Sequence, residues 1–286
     1  MLSFRGRPVG RDRALVMAIV NRTPDSFYDR GATYAFDNAL TAVGTAVAEG
    51  ADIVDIGGVK AGPGAEVDAA EEIRRVVPFI ATVRERFPDL VISVDTWRPE
   101  VGRLACEAGA DLINDTWQSA DPRLAEVAAE FGAGYVCSHA GGLPPRTRPF
   151  RVRYGDVVAD VLDEVLRRAE EVVGIGVPRA GVLIDPTHDF GKNTWHGLEL
   201  LRRVGELTGS GWPVLMALSN KDFVGETLGV GLTERVDGTL AATAIAAWHG
   251  ATIFRAHEVR RTRQVVEMVA SIAGTRPPSR CVRGLT

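Results

Sequence analysis

Asn21, Asp55, Asp95, Asn114-Asp115, His139, Asp185, Ser219 with Lys221, and Arg255 with His257 each close a short apolar run of the chain. In a dry pocket, carboxylates and amides hydrogen-bond amino and ring N–H groups, while Arg, Lys and His hold phosphate. Singly, each has a plainer reading. Asp, Asn, Ser and Thr after a strand commonly cap the next helix, and Arg255 would serve as a rim residue. Gathered at one end of a fold, they would form a cup of mixed charge, suited to a flat ligand with donor and acceptor edges and an anionic arm.

The runs that end in these residues occupy 14–21, 52–58, 90–96, 111–116, 134–139, 181–186, 213–219 and 251–258. Most are near-continuous apolar stretches, the pattern of strands buried on both faces of a parallel sheet. Helical patterns lie between them. In 69–87, for example, Ile73, Val76, Val77, Ile80 and Val83 keep the i, i+3, i+4, i+7 spacing. Gly50-Ala51-Asp52 and Gly109-Ala110-Asp111, with Gly250-Ala251-Thr252, precede three of the runs. They read as one reused turn, with Gly in a left-handed C′ cap. Eight β/α units in about 250 residues are the size of one α/β TIM barrel, with a doubly wound sheet as the competing fold. The expected organisation is an N-terminal extension over 1–13, a (β/α)8 barrel over 14–274 and a tail over 275–286. In a barrel the C-terminal strand ends meet on one face, which would gather the polar set.

The 286 residues carry 33 Lys+Arg against 37 Asp+Glu, a formal charge of −4, and 45% are hydrophobic. Such a chain can bury about three quarters of its unfolded surface, which argues against disorder. The absence of a basic excess argues against nucleic acid. Three cysteines, Cys106, Cys137 and Cys281, form no C-x-x-C pair and suit a reducing compartment, here the cytoplasm. The N-terminus lacks the apolar core of a secretory signal. The longest uncharged stretch, 238–254, is too short and too polar to span a membrane. The histidines form no H-x-x-x-H pair, and Thr187-His188-Asp189 reads as loop rather than zinc ligand. A Mg²⁺ carried by a diphosphate and touching Asn21 is compatible with the residues. No nucleophile elbow, Walker A or Rossmann fingerprint follows a suitable strand.

Asn21-Arg22-Thr23-Pro24-Asp25-Ser26-Phe27 resembles the N-x-T-P-D-S-F signature of dihydropteroate synthases. The likeness continues in order through Asp55-Ile56-Gly57-Gly58, Ser93-Val94-Asp95-Thr96, Ile113-Asn114-Asp115, Asp185-Pro186 with Phe190-Gly191-Lys192, Ser219-x-Lys221 and Arg255-x-His257. The resemblance implies a barrel that binds dihydropterin-CH2-diphosphate, loses diphosphate and joins the resulting cation to p-aminobenzoate. It assigns Asp95, Asn114 and Asp185 to the pterin's amino and ring N–H edge and Lys221 to its carbonyl side. Arg255 would stack on the ring and, with Asn21 and His257, hold the diphosphate and its Mg²⁺. Lys221, Arg255 and Asp95 are thereby the expected catalytic set. Carboxylates beside a developing pterin cation would stabilise it, and Gly57 and Gly58 would let the backbone approach the ligand.

The departures fall on the second-substrate half. Where the synthases usually read E-S-T-R-P-G, this chain reads Val59-Lys60-Ala61-Gly62-Pro63-Gly64. Ala61 thus replaces a Thr that helps hold p-aminobenzoate, and Gly62 an Arg that clamps diphosphate. The usual Ser-Arg-Lys is Ser219-Asn220-Lys221, and D-P-G is Asp185-Pro186-Thr187, with His188 and Asp189 adding bulk. Losing an arginine on the leaving group costs about 2 to 4 kcal/mol of transition-state stabilisation, or two to three decades in rate. A divergent pterin-binding paralogue with weak or lost synthase activity is therefore expected, with an active synthase as the alternative. Lys60, Arg22 or Arg30 would supply the missing charge if another acceptor is used. A methyl-transferring barrel and a scaffold without pterin binding are the readings from other classes. The family forms homodimers through late helices, to which Leu240, Ala244, Ala247 and Trp248 would contribute.

Overall fold

The computed structural model describes residues 2–10, 12–23, 35–147 and 152–283. The signature residues Pro24, Asp25, Ser26 and Phe27, together with Arg30, lie outside the described residues. The chain begins with a small antiparallel hairpin, β1 (Ser3–Phe4) and β2 (Arg7–Pro8). Eight parallel strands follow: β3 (Leu15–Asn21), β4 (Ile53–Gly57), β5 (Val91–Asp95), β6 (Leu112–Asp115), β7 (Gly134–Ser138), β8 (Val182–Asp185), β9 (Leu215–Met216) and β10 (Ile253–Ala256). Each lies within one of the eight apolar runs. Their order is β8-β7-β6-β5-β4-β3-β10-β9. A parallel bridge between Ile184 and Val214 joins the two ends, with Ile184 N–H donating to the Pro213 carbonyl at 3.0 Å. The sheet is thus a closed (β/α)8 barrel, and the doubly wound alternative is excluded.

Helices α1 (Phe36–Ala48), α2 (Ala69–Arg86), α3 (Pro99–Glu107), α4 (Arg123–Phe131), α5 (Val157–Ile175), α6 (Thr194–Arg202), α7 (Val204–Thr208), α8 (Asp222–Leu228), α9 (Val236–Trp248) and α10 (Val259–Ile272) surround it. The stripe read in 69–87 is the buried face of α2, where Val76, Ile80 and Val83 are buried. The reused turn is one structure made three times. Gly50, Gly109 and Gly250 have φ of 94°, 114° and 94°. In each, the following Ala donates its N–H five residues back, Ala51 to Ala46, Ala110 to Ala105 and Ala251 to Ala246, which satisfies a free carbonyl at the helix end.

Two cores result. One fills the space between strands and helices; the other lies inside the cylinder, built from Leu15, Met17, Ile53, Val91, Leu112, Val136, Leu183, Leu215, Ala217 and Ile253. Leu2 and Phe4 of the hairpin segment belong to this inner core and are 1% and 0% exposed. The segment read as an extension therefore plugs the floor of the barrel. Arg7 reaches Asp111 at 3.1 Å and holds the plug from outside. In the tail, Arg276 pairs with Asp12, which pins the start of 275–283 to the chain's beginning. Among the described residues, no helix is long and apolar enough to cross a membrane.

Candidate functional site

Successive strand residues alternate in direction, so every second residue of each strand faces the barrel axis. Following that face upward from the apolar floor gives Leu15, Met17, Ile19, Asn21 in β3 and Ile53, Asp55, Gly57 in β4. In β5 and β6 it gives Val91, Ser93, Asp95 and Leu112, Asn114; in β8, Leu183, Asp185. Leu215, Ala217, Ser219 and Ile253, Arg255, His257 complete the ring at β9 and β10. The interior is apolar below and polar above because each strand switches residue type along one face.

A cavity of about 420 Å³ opens above the polar layer, inside the range of about 300 to 1,000 Å³ usual for small-molecule sites. The residues assigned to pterin and diphosphate, Asn21, Asp95, Asn114, Asp185, Lys221, Arg255 and His257, line it together with Lys60, Ala61, Gly62 and Asn220 of the altered segments. Ile19, Thr23, Val59, Pro63, Thr116, Trp117, Thr147, Thr187, Asp189, Phe190, Ala217, Ser219 and Asp222 complete the wall.

Asp55, which carried no assigned role, organises the floor of this cavity. Fully buried, it accepts hydrogen bonds from Ser93 Oγ at 2.6 Å, Asn114 Nδ2 at 3.1 Å and Arg255 Nε at 2.6 Å. Arg255 also donates to Asp95 Oδ2 at 3.0 Å, and Asp95 Oδ1 accepts from Thr116 at 3.0 Å. Four strands, β4, β5, β6 and β10, are thereby fixed to one another by charged hydrogen bonds. Burial alone would lower the Arg255 pKa, but Asp55 and Asp95 hold it above the usual value. Burial pushes Asp95 up, with the neighbouring Asp55 adding to it and Arg255 opposing. The Asp-Ile-Gly-Gly motif signalled Asp55. Its role could not be read because its partners lie on three other strands.

Asp185 accepts from the Thr187 N–H at 2.7 Å, and burial raises its pKa to about 6. Lys221 is lowered by burial, and its ammonium lies 4.5 Å from the centre of the Phe190 ring. Phe190 in turn meets the edge of Trp117 at 4.9 Å. Ser219 Oγ and His257 Nδ1 are 3.0 Å apart. Lys192, of the Phe190-Gly191-Lys192 motif, is buried behind the wall and donates to the carbonyls of His139 at 2.7 Å and Phe190 at 2.9 Å.

Several polar residues at the strand ends face elsewhere. Asp115 accepts from Tyr135 Oη at 2.6 Å and Ser119 N–H at 2.8 Å, a structural role outside the cavity. His139 pairs with Asp160 at 2.8 Å beside a separate small pocket. Arg22 turns toward α1 and α2, where its guanidinium lies over Phe79 and Phe36, 5.0 and 5.5 Å from their centres. His188 is fully buried, with its ring 5.3 Å from that of Phe223, and burial depresses its pKa to about 3. Gly57 sits between two cavity residues, where a Cβ would lie 3.6 Å from Asp95 and 3.8 Å from Asn21, and Gly58 packs away from the axis. Gly58 is required by α2 instead, since a Cβ there would come within 2.8 Å of Val76. The altered loop is clasped from across the mouth, where Arg146 donates to the carbonyls of Gly62 at 3.2 Å and Ala65 at 2.8 Å.

A closed α/β barrel with a mixed-charge cavity at its C-terminal strand ends defines a small-molecule-binding protein of the TIM-barrel class. The model of the family "Pterin binding enzyme" matches residues 17–257, and the chain belongs to that family. It is 68% identical over 284 residues to a protein of Mycobacterium leprae named inactive dihydropteroate synthase 2, covering 98% of each chain. It is 38% identical over 255 residues to the dihydropteroate synthase of Escherichia coli, covering 89% of this chain and 90% of that protein. The Yersinia pestis dihydropteroate synthase, solved as a sulfonamide drug complex, superposes with a TM-score of 0.90 at 35% identity over 96% of this chain and 99% of that one.

Proposed function

We propose that this chain binds a pterin in the barrel cavity and has weak or no dihydropteroate synthase activity. The carrying observation is the meeting of Asp95, Asn114 and Asp185, from three strands, in one cavity with Lys221 and Arg255. Two carboxylates and an amide present acceptors to the amino and ring N–H edge of a pterin, and Lys221 a donor to its carbonyl. The likeness to the Mycobacterium leprae protein, inactive by name, supports the loss of synthase activity.

Geometry supports the same division. Arg255 spends two donors on Asp55 and Asp95, which leaves its charge largely compensated before a ligand arrives. Gly62 and Asn220 bring no cation to the cavity, and Lys60 brings one. A diphosphate leaving group is therefore held mainly by Asn21, His257 and Lys60. Among the described residues, no cluster of three or more His, Cys, Asp or Glu could hold a metal ion. The Asn21 amide oxygen fits a Mg²⁺ that arrives on diphosphate with its own oxygen ligands. Such an ion would neutralise the leaving group's charge.

The protein is proposed to act in the cytoplasm as a homodimer. Ile245 and Trp248 of α9 are 53% and 56% exposed, and Met268 and Ile272 of α10 are 61% and 60% exposed. Together they offer an apolar face for a second copy. Leu240, Ala244 and Ala247 are half-buried and flank it. Sedimentation at micromolar concentration is expected to give twice the chain mass.

Calorimetry with 6-hydroxymethylpterin and its diphosphate tests binding, and a condensation assay with p-aminobenzoate tests turnover. Binding of either pterin, with turnover at least two decades below a synthase assayed alongside, is the expected result. Sulfonamide-sensitive turnover at the synthase rate, or absence of any pterin binding, would overturn the reading.

A further inference from the structure

The loop after β6 contains two consecutive non-glycine residues in the left-handed region, Gln118 at φ 53° and Ser119 at φ 58°. Such strain persists only where surrounding bonds over-determine it. They do so here. Asp115 accepts the N–H groups of Trp117 at 3.2 Å and Ser119 at 2.8 Å, and Ser138 Oγ accepts that of Gln118 at 3.2 Å. The Gln118 side chain in turn accepts the N–H groups of Ala140 at 2.7 Å and Gly142 at 3.1 Å. The first residue of this loop, Thr116, is thereby fixed in backbone position.

Thr116 lines the cavity, and its hydroxyl donates to Asp95 Oδ1 at 3.0 Å while Arg255 donates to Oδ2 at 3.0 Å. A β-branched side chain is stiff about χ1, so the fixed backbone aims the hydroxyl. With a donor on each oxygen, the Asp95 carboxylate cannot turn over without breaking these bonds. Its side chain keeps 21% exposure on the cavity, where a ligand can reach it. The same two bonds favour the ionised form, which offers only acceptors to N–H groups. They oppose burial, which pushes the Asp95 pKa up to about 7 with the charges of Asp55 and Glu72 adding to it. Arg255 faces Asp95 from β10, Asp55 from β4 and Glu72 from α2, and all three are charged. Thr116, after β6, supplies the neutral donor.

Given the reading of the cavity as a pterin site, we propose that Thr116 is a positioning residue for pterin recognition, holding the Asp95 carboxylate in one orientation and in its ionised form for the ligand's N–H edge. A proton on Asp95 removes an acceptor that the pterin needs. Losing the Thr116 hydroxyl makes that proton harder to displace, so the loss of affinity is greatest in acid and fades as pH rises.

The test is calorimetry with 6-hydroxymethylpterin on the full chain from about pH 6 to about pH 8.5, taking the ratio of variant to wild-type Kd at each pH so that the ligand's own titration cancels. Thr116→Val keeps the shape and removes the donor. Its Kd is expected to be about tenfold above wild type at the acid end, the scale of one hydrogen bond to a charged group, and within about twofold at the alkaline end. Thr116→Ser restores the donor and should follow wild type throughout. Absence of pterin binding by wild type overturns the pterin reading and this proposal with it. If wild type binds, a ratio that stays constant across the range overturns this proposal alone, and so does a folded Thr116→Ser that binds as weakly as Thr116→Val. Thr116→Ala is read in the same way if the valine variant does not fold; failure of both to fold assigns the hydroxyl to the fold and equally overturns the proposal.

Discussion

The two halves of the cavity are held by different kinds of interaction. On the inner side, Asp55, Asp95, Asn114 and Arg255 are joined through side-chain hydrogen bonds of 2.6 to 3.1 Å that connect four strands. On the outer side, segment 59–65 is clasped through the carbonyls of Gly62 and Ala65 by Arg146, and the start of α8 is capped by Asp189. An interaction with a backbone carbonyl constrains the residue type beneath it very little, whereas a buried charged network constrains every member. The inner side keeps the residues of the synthase pattern, and the outer side departs from it at Ala61, Gly62 and Asn220. The departures from that pattern thus fall in the half where a side chain can change without leaving a buried charge unpaired.

The largest expected effect comes from breaking the inner network. Asp55→Ala leaves Arg255 in the wall with one of its two carboxylates and strands Asn114 and Ser93. Urea denaturation is expected to show a loss of about 3 to 5 kcal/mol. A loss below 1 kcal/mol would erase the distinction between the halves.

Asp185→Asn should separate ligand recognition from stability. It removes a charge-assisted acceptor from the pterin edge, at an expected cost of about 1.5 to 3 kcal/mol, or one to two decades in pterin affinity. The melting temperature of the ligand-free variant should stay at or above that of wild type, because a buried charge is removed. The same residue gives a pH signature. Its folded pKa of about 6 lies above the unfolded value of about 3.9. Its stabilising contribution is therefore full below about pH 4 and is lost as pH rises through about 6. The span corresponds to about 3 kcal/mol. Stability curves of wild type and Asp185→Asn should converge at acid pH and separate above pH 6; parallel curves would refute the assignment.

The smallest effect is expected outside. Arg146→Ala releases two carbonyls that water can solvate, so stability should change by less than about 1 kcal/mol. Affinity for pterin alone should move by less than about threefold, while cleavage within 59–66 by a broad-specificity protease should accelerate. A large fall in pterin affinity would show that the clasp also shapes the inner half.

The eight strands, the α2 stripe and the reused Gly-Ala turn were legible because each depends on local periodicity or on one residue's backbone freedom. The rim residues were legible as a set once strand ends were taken to meet on one face. What stayed hidden depended on pairings across the barrel. Asp55 is separated from Arg255 by 200 positions, and nothing in its own run distinguishes a network hub from a helix cap. Arg22 reads as a spare cation in sequence, yet the packing of α1 and α2 gives it two aromatic rings. The first residues read as an appendage because nothing local shows that Leu2 and Phe4 fill the barrel floor. The amino-acid order thus determined which segments form and which end of each strand is polar, since both follow from short-range chemistry. Only the closed tertiary structure decided which charges neutralise one another and which remain for a ligand, because those energies depend on distances set by the whole ring of strands.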